Sequence, residues 1–198
     1  MAYSDFTVER LTNEFGVNFR GERMFVNVEP IAPSAWLLES LERGTLTGFG
    51  SEKSRSERLV TPVLLELTSR NDHSFSVISG ANLDVDPAHG LNGECDFIFS
   101  FTLLQDFVKA PIFCITEAKK QDIEQGTIQC AAQLIGAYKL NERENKPAKV
   151  LYGCSTTGVE WRFIRFENNE FTFDANRYSI ADTAKLLGVL QTIINLAK

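Results

Sequence analysis

The residues best suited to chemistry lie in one segment, "FCITEAKKQDIEQGTIQCAAQLIGAY", which spans residues 113–138. Its apolar first part is typical of a buried strand, and this strand ends with Glu117 and Lys119. Because side chains two positions apart on a strand point to the same face, this carboxylate and this ammonium are predicted to be neighbours. A second apolar strand pattern, "ECDFIFSF", contains a carboxylate at Asp96. If the two segments pair as a hairpin, Asp96 comes beside Glu117.

Two carboxylates and an ammonium at one point of a sheet are suited to the hydrolysis of a phosphodiester bond. Carboxylates held close together repel each other unless a cation lies between them, and Mg²⁺ prefers such oxygen ligands. The ion acidifies a bound water, while Lys119 would orient or help deprotonate that water and stabilise the developing charge. The competing interpretation is a weak surface ion pair, because Glu-x-Lys occurs by chance in most chains of this length.

The segments "GECDFIFS", "PIFCITEAKK" and "GTIQCAAQLIGAY" together resemble the PD-(D/E)xK nuclease superfamily, and in particular the nuclease domains of type I restriction subunits. The resemblance covers about residues 54–165. It implies a restriction endonuclease-like αβββαβ core and a metal-dependent endonuclease that hydrolyses DNA with Mg²⁺ or Mn²⁺. Cys95 stands where the family name has a proline, a position that the superfamily keeps loosely.

The resemblance also implies roles for individual residues. Asp96 and Glu117 would bind the metal together with the carbonyl group of Ala118, and Lys119 would be the catalytic lysine. Gln129 matches the helix glutamine of the superfamily best. Gln133, one turn later on the same helix face, is the alternative.

The superfamily often adds a glutamate from the first helix, and this chain offers Glu57 and Glu66. Nine positions separate them, so they lie on nearly opposite faces of one helix and only one can face the site. We favour Glu57, with Glu66 as the alternative. A basic rim for nucleic acid is expected from residues near the first helix and after the catalytic strand, namely Lys120, Arg58 and Arg55.

The order of predicted elements indicates an α/β (α+β) fold with a central mixed sheet flanked by helices. Residues 1–50 are interpreted as an N-terminal extension with two short helices, and residues 51–198 as the nuclease-like domain. Within that domain a helix begins near Ser54, and a closing helix has Ser179 as its N-cap. Strands are predicted at 75–79, 95–101, 111–118, 149–158 and 160–167, with a possible edge strand at 170–175 and a long helix at about 122–140.

Composition narrows the class of protein. The chain has 198 residues and a formal net charge of −6, which favours one soluble domain and argues against a uniformly basic surface. No apolar run is long enough for a signal sequence or a transmembrane helix, so no membrane partner is expected. The four cysteines stand singly, which argues against zinc and fits a reducing, cytoplasmic location.

Three hypotheses follow from these observations. The first is an active nuclease with DNA as its partner, either as a homodimer or as a subunit of a larger nuclease system for restriction, repair or recombination. The second is a catalytically inactive module with the same fold that serves in binding or assembly. The third is an unrelated α/β protein in which the Glu-x-Lys pair is surface decoration.

Overall fold

The computed structural model describes residues 1–104 and 106–198. The described residues form a mixed α/β fold in which helices cover both faces of an eight-stranded sheet. The α-helices are α1 (Val8–Phe15), α2 (Ala35–Thr47), α3 (Glu52–Arg55), α4 (Thr61–Arg70), α5 (Ile123–Arg143) and α6 (Thr183–Ala197). The strands are β1 (Asn18–Glu22), β2 (Ser76–Asn82), β3 (Glu94–Ser100), β4 (Ile112–Ala118), β5 (Val150–Thr156), β6 (Glu160–Glu167), β7 (Glu170–Asp174) and β8 (Tyr178–Ser179).

The sheet order is β1-β7-β6-β5-β4-β3-β2, and β8 pairs with β6. Strand β3 is antiparallel to both β2 and β4. Helix α5 then crosses over, and β5 returns parallel to β4. Phe97 opposes Thr116 in the pairing of β3 with β4. Continuing this register by one residue sets Asp96 opposite Glu117, which is the relationship that the predicted hairpin required.

Two hydrophobic layers hold the sheet. Helices α2, α4 and α6 cover one face, with Leu37, Leu67 and Leu190 among the residues that are almost fully buried there. Helix α5 and the N-terminal segment cover the other face, where Tyr3 packs against the helix. Residues 1–50 therefore contribute to both layers of the domain.

The helix at the start of the predicted domain contains a π-helical turn, Ser56–Val60, between α3 and α4. Pro62 has no amide hydrogen to donate to the carbonyl group of Arg58, so regular α-helical bonding is interrupted at this point. The backbone widens instead, and the N–H of Thr61 donates to Ser56. The helix starts at Glu52, close to the predicted start near Ser54. Turns of this kind are frequent at functional sites.

Two predictions at the C-terminal end of the sheet were wrong. The strand at 170–175 was predicted at the edge of the sheet, but β7 is interior because β1 pairs with it in parallel. Strand β1 has the polar sequence "NFRGE", which gives no strand pattern. Ser179 does not cap the closing helix, since a 3₁₀ turn, Ile180–Asp182, intervenes and the side chain of Asp182 caps α6 instead.

One segment among the described residues, Ile180–Ala197, is long and apolar enough to cross a membrane by length and composition. No such segment was expected. Its apolar side chains, Leu186, Leu187 and Ile193 among them, are buried against the sheet and α4. Core helices of water-soluble proteins pass the same test, so this finding is weak support for a membrane span.

Candidate active site

Glu117 is the centre of the candidate site. It is the penultimate residue of β4, it is only 3% exposed, and it faces α5. Its Oε1 accepts a hydrogen bond from Nζ of Lys119 at 2.8 Å and another from Nε2 of Gln129. Its Oε2 accepts from Nε2 of Gln133 at 2.8 Å. The two glutamines, which the sequence offered as alternatives, thus both contact the same carboxylate.

Asp96 is fixed beside Glu117 by the backbone of β4. Its Oδ2 accepts a hydrogen bond from the N–H of Ala118 at 2.7 Å. Burial raises the pKa of Asp96 above its ordinary value, against the opposing effects of this amide and of Lys119. Asp96 and Glu117 therefore lie at the same level of neighbouring strands.

The crowding of these groups perturbs their protonation. Burial, and then the charge of Asp96, raises the pKa of Glu117 to about 7. Burial alone would lower the pKa of Lys119, but the carboxylate of Glu117 outweighs it and raises that pKa above its ordinary value. Lys119 is therefore a cation at neutral pH, which favours charge stabilisation over the removal of a proton from water.

A cleft of about 370 Å³ opens beside Asp96 and Ala118. Its walls carry three further carboxylates, from Glu57 on the π-helical turn, Glu52 on α3 and Glu94 on β3. Sequence reasoning selected Glu57 but missed the other two. The only available signal for Glu52 was its place after Ser51, the residue that caps α3. Oε2 of Glu52 accepts a hydrogen bond from the backbone N–H of Lys120 at 3.2 Å.

Glu66, the alternative to Glu57, lies away from this cleft and is 4% exposed. Its carboxylate accepts hydrogen bonds from N–H and Oγ of Ser34 at 3.0 and 2.7 Å, and from Nε of Arg70 at 2.7 Å. Ser34 caps α2, so Glu66 joins that helix to α4. These contacts give Glu66 a structural role.

The three cations expected at a nucleic-acid rim differ in their surroundings. Nη1 of Arg55 donates to the carbonyl group of Thr157 at 3.0 Å, and Nη1 of Arg58 donates to that of Gly48. Both guanidinium groups are thereby bonded to backbone carbonyl groups of the protein itself. Lys120 is exposed and forms no ion pair with any residue that the structure describes. Of the three cations, Lys120 is the most open to solvent.

The donor set fits a magnesium-type ion. Asp96, Glu117 and the carbonyl group of Ala118 would supply hard oxygen ligands. Burial first, and then neighbouring carboxylates, raise the pKa of Asp96 and of Glu117, so a cation between them would be favourable. Within residues 1–104 and 106–198, no group of three or more His, Cys, Asp or Glu side chains is arranged to hold a metal ion. Mg²⁺ needs no such group, because it is commonly bound by one or two carboxylates, waters and substrate phosphate.

No known family model, curated protein or solved structure matches this chain.

Proposed function

We propose that this protein is a metal-dependent nuclease of the PD-(D/E)xK type, which hydrolyses phosphodiester bonds of DNA with Mg²⁺ or Mn²⁺. The observation that carries the proposal is the position of Asp96 opposite Glu117, with Lys119 bonded to that same glutamate. The succession of α4, three antiparallel strands, α5 and a parallel β5 supports the αβββαβ core.

Each residue of the site has a defined task in this proposal. A divalent cation held by Asp96, Glu117 and the carbonyl group of Ala118 would supply Lewis-acid stabilisation and an acidified water. Lys119 places a fixed positive charge where negative charge develops in the transition state. Gln129 and Gln133 hold the plane of the Glu117 carboxylate, and burial keeps bulk water from its inner side.

The negative charge of the cleft affects how a DNA substrate would bind. The cleft walls are acidic and the whole chain has a net charge of −6, so an approaching phosphate meets repulsion. A bound divalent cation reduces that repulsion at the point where the scissile phosphate must lie. Lys120, together with Arg55 and Arg58, would contact the DNA backbone on the rim. Cleavage of both strands requires two sites, which a homodimer or a larger nuclease assembly in the cytoplasm would supply.

A second candidate is a catalytically inactive module of the same fold that acts in binding or assembly. One observation favours it: both oxygens of Glu117 are already engaged by side chains of the chain itself, with Lys119 and Gln129 on Oε1 and Gln133 on Oε2. The carboxylate of Glu117 thus has hydrogen-bond partners on both oxygens without a metal ion.

A cleavage assay tests the first candidate. The purified protein is incubated with supercoiled, linear, single-stranded and branched DNA, with Mg²⁺, Mn²⁺ or a chelator. Cutting is expected only with a metal ion, and it is expected to disappear in Asp96→Ala and Lys119→Ala. Lys146→Ala changes an exposed lysine far from the site along the chain and serves as the control. Absence of cutting, or cutting that survives in both site variants, would contradict the proposal.

A further inference from the structure

The side-chain hydroxyl group of Ser155 makes no hydrogen bond to any residue that the structure describes. Ser155 lies on β5, paired in parallel register with Glu117 of β4, and its side chain is fully buried. Leaving a buried hydroxyl without a partner costs free energy, so the presence of serine here calls for a functional reason.

The surroundings of Ser155 are shaped by a glycine. Gly126 of α5 lies so close that a Cβ atom at this position would be 2.3 Å from Oγ of Ser155 and 2.7 Å from Cγ of Lys119. The serine hydroxyl and the lysine side chain therefore fill one notch, which exists only because residue 126 lacks a side chain. The stem of Lys119 and the hydroxyl of Ser155 thus border the same small space.

The ammonium group of Lys119 needs another hydrogen-bond acceptor if Glu117 binds a divalent cation. Its ammonium now donates to Oε1 of Glu117, and a divalent ion on that carboxylate would compete for the same oxygen and repel the ammonium. The backbone of Lys119 is held by its N–H, which donates to the carbonyl group of Thr156 at 2.7 Å. Only the side chain can adjust, and its stem borders the same notch as Ser155.

We infer that Ser155 is a positioning residue, whose hydroxyl accepts the ammonium of Lys119 when a divalent cation occupies the carboxylate of Glu117. This inference rests on the proposed metal-dependent function. It assigns Lys119 two hydrogen-bond arrangements, one on Glu117 without metal and one on Ser155 with metal. In the second, the positive charge stays beside the site while the carboxylate is released for the ion.

Another acceptor competes for this role. Oε1 of Gln133 is also buried without a partner among the described residues. The amide of Gln133 is held in place by its donation to Oε2 of Glu117, however, so it faces the far oxygen of the carboxylate. Ser155 shares its notch with the stem of Lys119 and is the better candidate.

The test compares Ser155→Ala with Thr116→Val. Thr116 is also fully buried with an unpartnered hydroxyl, but it precedes Glu117 on β4 and so faces the other side of the sheet. Mg²⁺ affinity is measured by calorimetry, and the ¹⁵Nζ resonance of Lys119 is followed by NMR during the same titration. Both variants are expected to keep or raise the melting temperature without metal, since each removes a buried unpaired group.

Only Ser155→Ala is expected to weaken Mg²⁺ binding, by about tenfold, as is typical when a group that supports a metal ligand is removed. It should also abolish the Mg²⁺-induced shift of the Lys119 resonance that the wild-type protein shows. If Ser155→Ala binds Mg²⁺ with wild-type affinity, or if Thr116→Val loses as much Mg²⁺ affinity, the role of Ser155 is overturned while the proposed function stands. A wild-type protein that binds no Mg²⁺ would overturn the proposed function as well.

Discussion

Gln133 donates a hydrogen bond from its side-chain amide to Oε2 of Glu117 at 2.8 Å, within a fully buried environment. Gln129 makes the corresponding bond to Oε1 from one turn earlier on α5. The two amides hold both oxygens of one carboxylate, so α5 fixes the orientation of a group that β4 presents. The long helix is therefore part of the candidate site as well as a cover for the sheet.

Replacing Gln133 with methionine should raise the pKa of Glu117. The wild-type value is about 7, mainly because of burial and then Asp96, and the Gln133 hydrogen bond opposes this rise. Since the folded-state pKa lies above its ordinary value, the metal-free protein should lose stability as pH rises towards 7 and Glu117 ionises. Because the unfolded-state pKa is unchanged, Gln133→Met should extend this loss to higher pH and make it larger. Carboxyl ¹³C NMR of Glu117 in metal-free protein measures the pKa directly.

Gln125→Met is the matched control, because Gln125 lies on the same helix with its side chain exposed. It should leave the titration of Glu117 unchanged. A titration of Glu117 in Gln133→Met that coincides with wild type, or that moves to lower pH, would show that the buried amide does not stabilise the ionised carboxylate.

Gly126→Ala should disable the site through steric conflict. The new methyl group would lie 2.3 Å from Oγ of Ser155 and 2.7 Å from Cγ of Lys119, so the lysine must shift. We expect metal-dependent cutting to be lost, with a destabilisation of about 1–3 kcal/mol. Gly50→Ala is the control, since an added methyl there meets nothing within 4 Å and the backbone is ordinary. Full activity in Gly126→Ala would mean that the notch does not position Lys119.

Glu66→Gln should reduce stability in a pH-dependent way. Burial would raise the pKa of Glu66, but hydrogen bonds from Ser34 and the charge of Arg70 outweigh it and lower the pKa below its ordinary value. The ionised carboxylate therefore stabilises the fold above its unfolded-state pKa, and this contribution is lost as pH falls through the folded-state pKa. The difference in urea unfolding between wild type and variant should be about 1–2 kcal/mol at pH 7 and should shrink in acid. A difference independent of pH would contradict this account.

Glu57→Gln should have the opposite effects, with little change in stability and a loss of cutting activity. Its carboxylate lines the cleft and is more than half exposed, with only a 3.9 Å contact to Lys53. Surface substitutions of this kind usually change stability by no more than about 0.5 kcal/mol. Because the carboxylate adds negative charge beside Asp96, its removal should weaken metal-dependent cutting by about tenfold. Loss of activity in Glu66→Gln but not in Glu57→Gln would reverse the assignment of the two residues.

Much of the candidate site could be predicted because strand periodicity is a local property. Successive side chains of a strand over "PIFCITEA" point to opposite faces, which predicts that Glu117 and Lys119 share a face. One hairpin is then enough to bring Asp96 beside them. The mixed α/β class follows from the change of period between helices and strands. Helical spacing also separated Glu57 from Glu66, which the structure places in different surroundings.

The remaining features depend on contacts that sequence spacing does not encode. Strand β1 is polar and exposed, and only its pairing with β7 makes it a strand. Glu52 on α3 and Glu94 on β3 line the same cleft although they are far apart in the chain. The roles of Ser155 and Gly126 arise from the packing of α5 on β4 and β5, between residues far apart in the chain.

The central claim is that Asp96 and Glu117 bind one divalent cation, and titration with Mn²⁺ followed by electron paramagnetic resonance tests it most directly. The wild-type protein at pH 8 should bind one Mn²⁺ ion. Asp96→Asn and Glu117→Gln should each abolish this binding, while Glu66→Gln, which changes a carboxylate outside the cleft, should retain it. No binding by the wild-type protein, or equal binding by all four proteins, would contradict the account.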